Sequence, residues 1–325
     1  MIVTLTPNPS HDRTVALATM LERGAVQRAE STTSQAGGKG VNISRASVAA
    51  GIASIAVLPA PKDDPFVVEL LAAGIDCRPV PIDDTLRVNI TISEPDGTTT
   101  KLNSPGPELS PLVLAGLQES LRRRAGSADW IVLAGSLPPG APVHWYADLV
   151  AALRDTPARI AVDTSDAPLR SLVERLTADT GSAPDLMKPN GEELASFTGG
   201  DPELLESDPI AAAAAARFLV DRGVSEVLAT LGGQGAVLVT ASGQWYAEPP
   251  PTTVVSTVGA GDSSLFGYLL GDLQRRTPAQ RLASAVAYGS AAAGLPGTTI
   301  PIPSQVRPDL VTVHELDPIH GGTPA

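Results

Sequence analysis

The sequence predicts an α/β fold: a three-layer α/β/α sandwich with a mostly parallel central sheet, helices on both faces, and a small separate β-sheet lid. Three observations predict it. Short, β-branched apolar runs alternate along the chain with stretches of helical period, which is the pattern of strands buried on both faces. Two segments break that alternation and read as strands with no helix between them. Two glycine-rich turns each open directly onto a helix. The organisation expected is one large domain over residues 1–325, with a lid inserted in two parts, 12–36 and 87–105.

In chain order, the strand runs are Ile2-Val3-Thr4-Leu5, Ile55-Ala56-Val57-Leu58, Ile131-Val132-Leu133, Ile160-Ala161-Val162 and Val227-Leu228-Ala229. The helical stretches are 41–50, 112–124, 143–153, 210–220, 265–273 and 279–293, with a six-alanine run, Ala211 to Ala216, favouring the fourth strongly. The lid strands are read over 13–18 with 24–34, and over 87–103 around the turn Pro95-Asp96-Gly97-Thr98. A lid of this kind would close over a cleft at the carboxyl ends of the parallel strands, and its outer face would suit a homodimer contact. From Pro296 onward the tail lacks periodicity and is expected to finish disordered, ending His320-Gly321-Gly322-Thr323-Pro324-Ala325.

Composition narrows the partners. With 325 residues, 43% hydrophobic and 18% charged, the chain can bury a full core. A net charge of -12 argues against nucleic acid or an anionic membrane, which its field would repel, so an anionic substrate must meet a local basic cluster. Cys77 is the single cysteine and cannot form an internal disulfide; His11, His144, His314 and His320 show no metal-ligand spacing. Residues 1–7 lack the basic-then-apolar order of a signal peptide and no apolar run is long enough to span a bilayer, so a cytoplasmic protein is expected.

Chemistry concentrates in the glycine-rich segments. Ala36-Gly37-Gly38-Lys39-Gly40-Val41-Asn42 precedes a helix, where free N–H groups and Lys39 would make an anion site; a plain helix-capping turn with a solvated lysine is the competing reading. It is not a Walker A loop, because Gly40 follows Lys39 where Ser or Thr would hold magnesium. Ser256-Thr257-Val258-Gly259-Ala260-Gly261-Asp262-Ser263-Ser264 also opens a helix. Asp262 there is either a helix cap or a base placed beside an amide cradle for a transferred phosphoryl group.

Gly-Gly-Lys-Gly-Val-Asn (37–42), Lys-Pro-Asn-Gly-Glu-Glu (188–193) and Val-Gly-Ala-Gly-Asp (258–262), in that order, resemble the ribokinase-like PfkB carbohydrate kinases. Within that family, Thr4-Leu5-Thr6-Pro7-Asn8-Pro9-Ser10-His11-Asp12, Arg87-Val88-Asn89, Asn103-Ser104-Pro105-Gly106-Pro107 and Gly135-Ser136-Leu137-Pro138-Pro139-Gly140 are similar to the branch of 1-phosphofructokinase and tagatose-6-phosphate kinase. The resemblance runs from Ile2 to about Pro301.

It implies ATP and Mg²⁺ as cosubstrate and ion, and a phosphorylated ketohexose as acceptor. Fructose 1-phosphate comes first, with tagatose 6-phosphate and fructose 6-phosphate behind it, and a catalytically silent sugar-phosphate sensor is the alternative of another class. It implies that Asp262 is the catalytic base and that the amides of Gly259, Ala260 and Gly261 form the anion hole. Asp12, Gly38, Lys39, Asn42, Arg87 and Ser136 would hold the sugar and its existing phosphate. Lys188, Asn190, Thr230, Gly232, Gly235, Thr257, Gly259 and Gly261 would line the nucleotide, and Asn190 and Glu193 would organise Mg²⁺ through water. Read as residues alone, Asn190 and Glu193 are a common helix-start pair, and 230–235 is equally a hairpin turn. Ala287, Gly289 and Ser290 would flank adenine, Arg28 would reach substrate or a neighbouring subunit, and Thr91 stands where relatives carry lysine, with Lys101 as a substitute on the next strand.

Overall fold

The computed structural model describes residues 1–317. In chain order the elements are β1 (Ile2–Leu5), β2 (Ser10–Leu17), β3 (Ala29–Gly37), α1 (Lys39–Ala49), β4 (Ser54–Ala60), α2 (Pro65–Ala72), β5 (Asp76–Pro81), β6 (Arg87–Ser93), β7 (Thr99–Leu102), α3 (Pro111–Ala125), β8 (Trp130–Ala134), α4 (Trp145–Leu153), β9 (Arg159–Asp163), α5 (Asp166–Ala178), β10 (Leu186–Met187), α6 (Gly191–Thr198), α7 (Pro202–Ser207), α8 (Pro209–Val220), β11 (Glu226–Thr230), β12 (Ala236–Thr240), β13 (Gly243–Glu248), α9 (Ala260–Leu273), α10 (Pro278–Ala293) and β14 (Thr312–Glu315).

Ten strands form one sheet in the order β14-β13-β12-β11-β10-β9-β8-β1-β4-β5. From β11 to β5 all neighbours are parallel; β12, β13 and β14 add an antiparallel margin. Alternation along the strands sorts side chains between two cores. Ile131 and Leu133 of β8 join α3, α4, α5 and α8 on one face, while Trp130, Val132 and Ala134 join α1, α9 and α10 on the other. A third, smaller core lies under α2, around Phe66 and Leu70. Helix starts are written locally: α2, α3, α7, α8 and α10 each begin with Asp, Ser or Thr accepting a backbone N–H, followed by proline in the first turn.

The smaller sheet has the order β3-β2-β6-β7, with β2 and β6 parallel and the outer pairs antiparallel. Its strands match the two segments expected to break the α/β pattern, with one correction. Residues 24–28 are not strand: the Gln27 side chain accepts from Glu22 N and donates to Met20 O, closing a loop before β3 begins. Thr312–Glu315 pair with β13 as an edge strand, because main-chain pairing to an existing edge requires no apolar periodicity. Residues 320–325, expected to be disordered, lie outside the described residues. Among the described residues no helix is long and apolar enough to cross a membrane.

Candidate active site

The parallel strands deliver their polar residues at one edge. Thr6 and Asn8 follow β1, Gly135 and Ser136 follow β8, Asp163 ends β9, Lys188 follows β10 and Thr230 ends β11. This is the carboxyl edge, where open α/β sheets place ligands because loops there diverge.

Two glycine-led helices face that edge. β3 runs through Gly37 into Gly38, whose φ of 125° is closed to other residues, and whose missing side chain lets the turn pass Thr6; a Cβ would lie 2.5 Å from Thr6 Cγ2. Lys39 and Asn42 then occupy the first turn of α1. Gly259, at φ 79°, starts α9 and puts Asp262 in its first turn. Gly261 and Asp262 therefore sit at a helix mouth whose first N–H groups have no partner within the helix, and Thr257 closes the turn by accepting Ala260 N at 3.3 Å.

Around Asp262 the charges interlock. Asn42 Nδ2 donates to Asp262 Oδ2 at 2.8 Å, and Lys39 Nζ lies 4.0 Å from Asp262 Oδ1. Lys39 Nζ also donates to Asp163 Oδ1 at 3.0 Å, and Lys188 Nζ lies 3.4 Å from Asp163 Oδ2. Gly261 packs over Lys188, where a Cβ would be 3.4 Å from Nζ. Asp262 is 6% exposed, but Lys39 beside it is 36% exposed along its side chain, so the cluster opens outward through the lysine.

Burial raises the Asp262 carboxyl above the ordinary carboxylate range, with Lys39 opposing the rise and Asp163 adding to it. Asp163 goes the other way: burial would raise it, but Lys188 and Lys39 outweigh that and hold it low and ionised. For Lys39, burial favours the neutral amine, and the charges of Asp163 and Asp262 overcome it and hold the ammonium.

The residues expected to hold an acceptor form a second group. Asp12 Oδ1 accepts from Ser10 Oγ at 2.7 Å and Asn89 Nδ2 at 3.1 Å, and burial raises its carboxyl. A Cβ on Gly37 would collide with Asp12 Oδ2, so the bare glycine makes room for that carboxylate beside the entrance to α1. Arg87 donates to Ser104 O at 3.1 Å and Asn8 O at 2.9 Å, and Asn8 Nδ2 reaches Ser136 Oγ at 3.5 Å. Arg87 Nε and Asn8 Oδ1 are buried without hydrogen-bond partners among the described residues. Thr91 pairs directly with Lys101, on the same sheet face as Asp12 and Asn89.

Asn190 and Glu193 form a reciprocal capping box on α6: Glu193 N donates to Asn190 Oδ1 at 2.8 Å and Asn190 N to Glu193 Oε2 at 2.9 Å. Glu193 is nonetheless coupled to the cluster, its carboxyl raised by burial and lowered by Lys188. Asn190 bridges to Thr230, and Gly232 and Gly235 bound the short turn that joins β11 to β12 as a hairpin. Gly289 on α10 packs against Ser264 and Ala260 O of α9. Arg28 is exposed on the loop before β3.

Asp163 is the residue that sequence reasoning missed. Its signal was present: an acidic residue ending an apolar strand run, at the sheet edge where ligands bind.

Fold and site together define a small-molecule kinase of the α/β class. The pattern of the pfkB family carbohydrate kinases matches residues 8–305. The chain is similar to 1-phosphofructokinase of Escherichia coli strain K12, at 35% identity over 292 residues, 88% of this chain and 89% of that one. Similarity to 1-phosphofructokinase of Rhodobacter capsulatus is 33% over 326 residues, covering 98% and 99%. Among solved structures, phosphofructokinase-2 from Escherichia coli in complex with substrates and products superposes with a TM-score of 0.84 at 28% identity, covering 94% of this chain and 96% of that one. The chain belongs to the pfkB family of carbohydrate kinases.

Proposed function

We propose that the protein transfers the γ-phosphoryl group of ATP to a hydroxyl of fructose 1-phosphate, giving fructose 1,6-bisphosphate. The observation that carries this reading is the Asp262 carboxylate at the mouth of α9, hydrogen-bonded to Asn42 and flanked by Lys39, in a chain whose curated relatives are 1-phosphofructokinases. Asp262 takes the proton of the acceptor hydroxyl as its oxygen bonds to the γ-phosphorus and the bond to the β-phosphate oxygen breaks, releasing ADP. The amides of Gly259, Ala260 and Gly261 hold the charge on the transferring oxygens, as donors fixed before the reaction. Lys39 opposes the rise that burial imposes on Asp262 and so favours the ionised form that a base requires.

Asp12 binds sugar hydroxyls, and Arg87 with Lys39 receives the existing phosphate, so an acidic protein holds an anionic sugar through a local cation pair. Lys101 adds a cation on the same lid face where Thr91 provides none. Lys188, Thr230, Gly232, Gly235 and Thr257 line the nucleotide. The donor set fits Mg²⁺ bound through water: the capping box engages Glu193 Oε2 and Asn190 Oδ1, and no group of three or more His, Cys, Asp or Glu among the described residues makes an inner-sphere cage. Bound there, the ion would neutralise nucleotide phosphate charge.

The four-stranded sheet acts as the lid, in the parts 12–36 and 87–105. Its register places Val15, Ile90, Ile92 and Leu102 opposite the Asp12 face, and Leu102 is 54% exposed, which supports a homodimer through the outer face. A cytoplasmic setting fits the ATP requirement. An ADP-release assay across fructose 1-phosphate, fructose 6-phosphate, tagatose 6-phosphate, ribose and adenosine tests the assignment. Preference for fructose 1-phosphate is expected; turnover with none of the five would leave only a sensor.

A further inference from the structure

A groove of about 470 Å³ lies between the edge strand β5 and helix α3, and its lining shares no residue with the site above. Its lining carries three guanidinium groups, Arg78, Arg123 and Arg124, and no acidic residue. In a chain of net charge -12, that is a concentration of cations against the overall field.

The local sequence explains the groove. Gly116 on α3 presents no side chain to β5, where a Cβ would come within 3.0 Å of Val80 Cγ1, so helix and strand stay close at the floor. One turn further on, Ser120 replaces apolar bulk. Because β5 ends the sheet, its outer main-chain groups have no strand partner among the described residues.

Arginines at the end of a helix commonly serve its dipole. Arg122 instead serves the neighbouring helix, donating to Ala152 O near the end of α4 at 2.9 Å. Arg124 folds back one turn on its own helix and donates to Ser120 O at 2.6 Å and Ser120 Oγ at 2.9 Å, which fixes its guanidinium in the groove. Burial, and then the charges of Arg78 and Arg123, lower its affinity for a proton, so the three cations are close enough to repel. Acidic neighbours offset this in part: Asp76 holds Arg78 through two contacts of 2.9 Å and also acts on Arg124, and Glu119 lies 3.6 Å from Arg123, all four of these paired side chains, Asp76, Arg78, Glu119 and Arg123, being exposed. Cys77 also lines the groove, but burial pushes its thiol up to about 11, so thiolate chemistry is not what the site offers.

We propose that this groove is an anion site, separate from the catalytic cleft, for a small phosphate-bearing ligand with two or more negative charges. Guanidinium forks match phosphate oxygens in pairs, and Arg124 is already held in position, so little of its freedom is lost on binding. The lining has no aromatic ring to stack on a base, which favours a small phosphate ester or pyrophosphate-like group over a nucleoside. Six residues beyond the end of β5 the chain reaches Arg87, which connects the groove to the lid strand β6.

Isothermal titration with pyrophosphate tests the proposal on three proteins: wild type, Arg78→Ala/Arg124→Ala, and Arg87→Ala. The groove variant alters exposed or half-buried residues, and an unchanged melting temperature without ligand establishes that it folds. Binding that weakens at least tenfold in the groove variant and persists in Arg87→Ala is expected. Binding that survives the groove substitutions, or that is lost only with Arg87, places the anion in the catalytic cleft and overturns the proposal, as does absence of binding at millimolar pyrophosphate. A parallel titration with citrate tests the phosphate assignment, which equal affinity for the tricarboxylate would overturn.

Discussion

Asp163→Asn is the substitution whose consequences the geometry specifies most fully. It keeps side-chain shape and removes one negative charge from between Lys39 Nζ at 3.0 Å and Lys188 Nζ at 3.4 Å, at a side chain with no exposed surface. At an effective dielectric of about 20 each contact is worth about 5 kcal/mol before desolvation, and removing one partner of a buried pair costs about 3–5 kcal/mol net. Lys39 is 36% exposed and water relieves part of its loss, so the lower end, about 3 kcal/mol, is expected. For a chain of 325 residues that is a fall in melting temperature of roughly 4–5 °C.

The sign with pH follows from Asp163 being held low. Its stabilisation is present above the ordinary carboxylate pKa and is lost as pH falls through the lowered folded value. The gap between wild type and variant is therefore full at neutral pH and closes in acid. Asp262 responds separately. Asp163 raises its carboxyl, so neutralising Asp163 leaves Lys39 and Lys188 to act on Asp262 and shifts the acid limb of kcat/KM to lower pH. Scanning calorimetry at several pH values and a pH–rate profile read the two effects. An unchanged melting temperature together with an unmoved acid limb would refute the claim that Asp163 organises the cation cluster.

Arg87→Ala is expected to raise KM for fructose 1-phosphate by about 10–100-fold, the value of one charged hydrogen-bonding group, and to leave KM for ATP nearly unchanged; equal effects would remove Arg87 from the sugar side. Gly37→Ala places a methyl group against Asp12, so KM for the sugar phosphate rises and ATP binding stays intact. Steady-state kinetics with each substrate varied in turn checks it. Ile92→Glu, on the lid face opposite Asp12, is expected to shift the protein from dimer to monomer in light scattering, and an unchanged mass would show that this face is not the contact.

Much of the fold was legible because burial on both faces writes itself as continuous apolar runs: β1, β4, β8, β9 and β11 stand where those runs fall. The antiparallel margin was not. β13 and β14 carry polar and aromatic residues, such as Gln244, Trp245 and His314, whose strand state comes from pairing with the neighbouring edge. β10 is only two residues long and offers no period to detect. In the site, the glycine-led segments were readable because backbone conformation restricts the residue type, as at Gly38 and Gly259. Asp163 was not, because its role arises from lysines 124 residues upstream and 25 residues downstream, which only the folded sheet brings together. Asn190 and Glu193 form the helix-start pair that the residues alone suggested, a capping box in which Glu193 also feels the charge of Lys188.

The most direct test is single-turnover phosphoryl transfer from ATP to fructose 1-phosphate in Asp262→Asn. Substituting the amide keeps a side chain of similar size next to Asn42 while removing the proton acceptor, so transfer should slow by about 10²–10⁴-fold with ATP affinity retained. Transfer at the wild-type rate would contradict the assignment of Asp262 as the base.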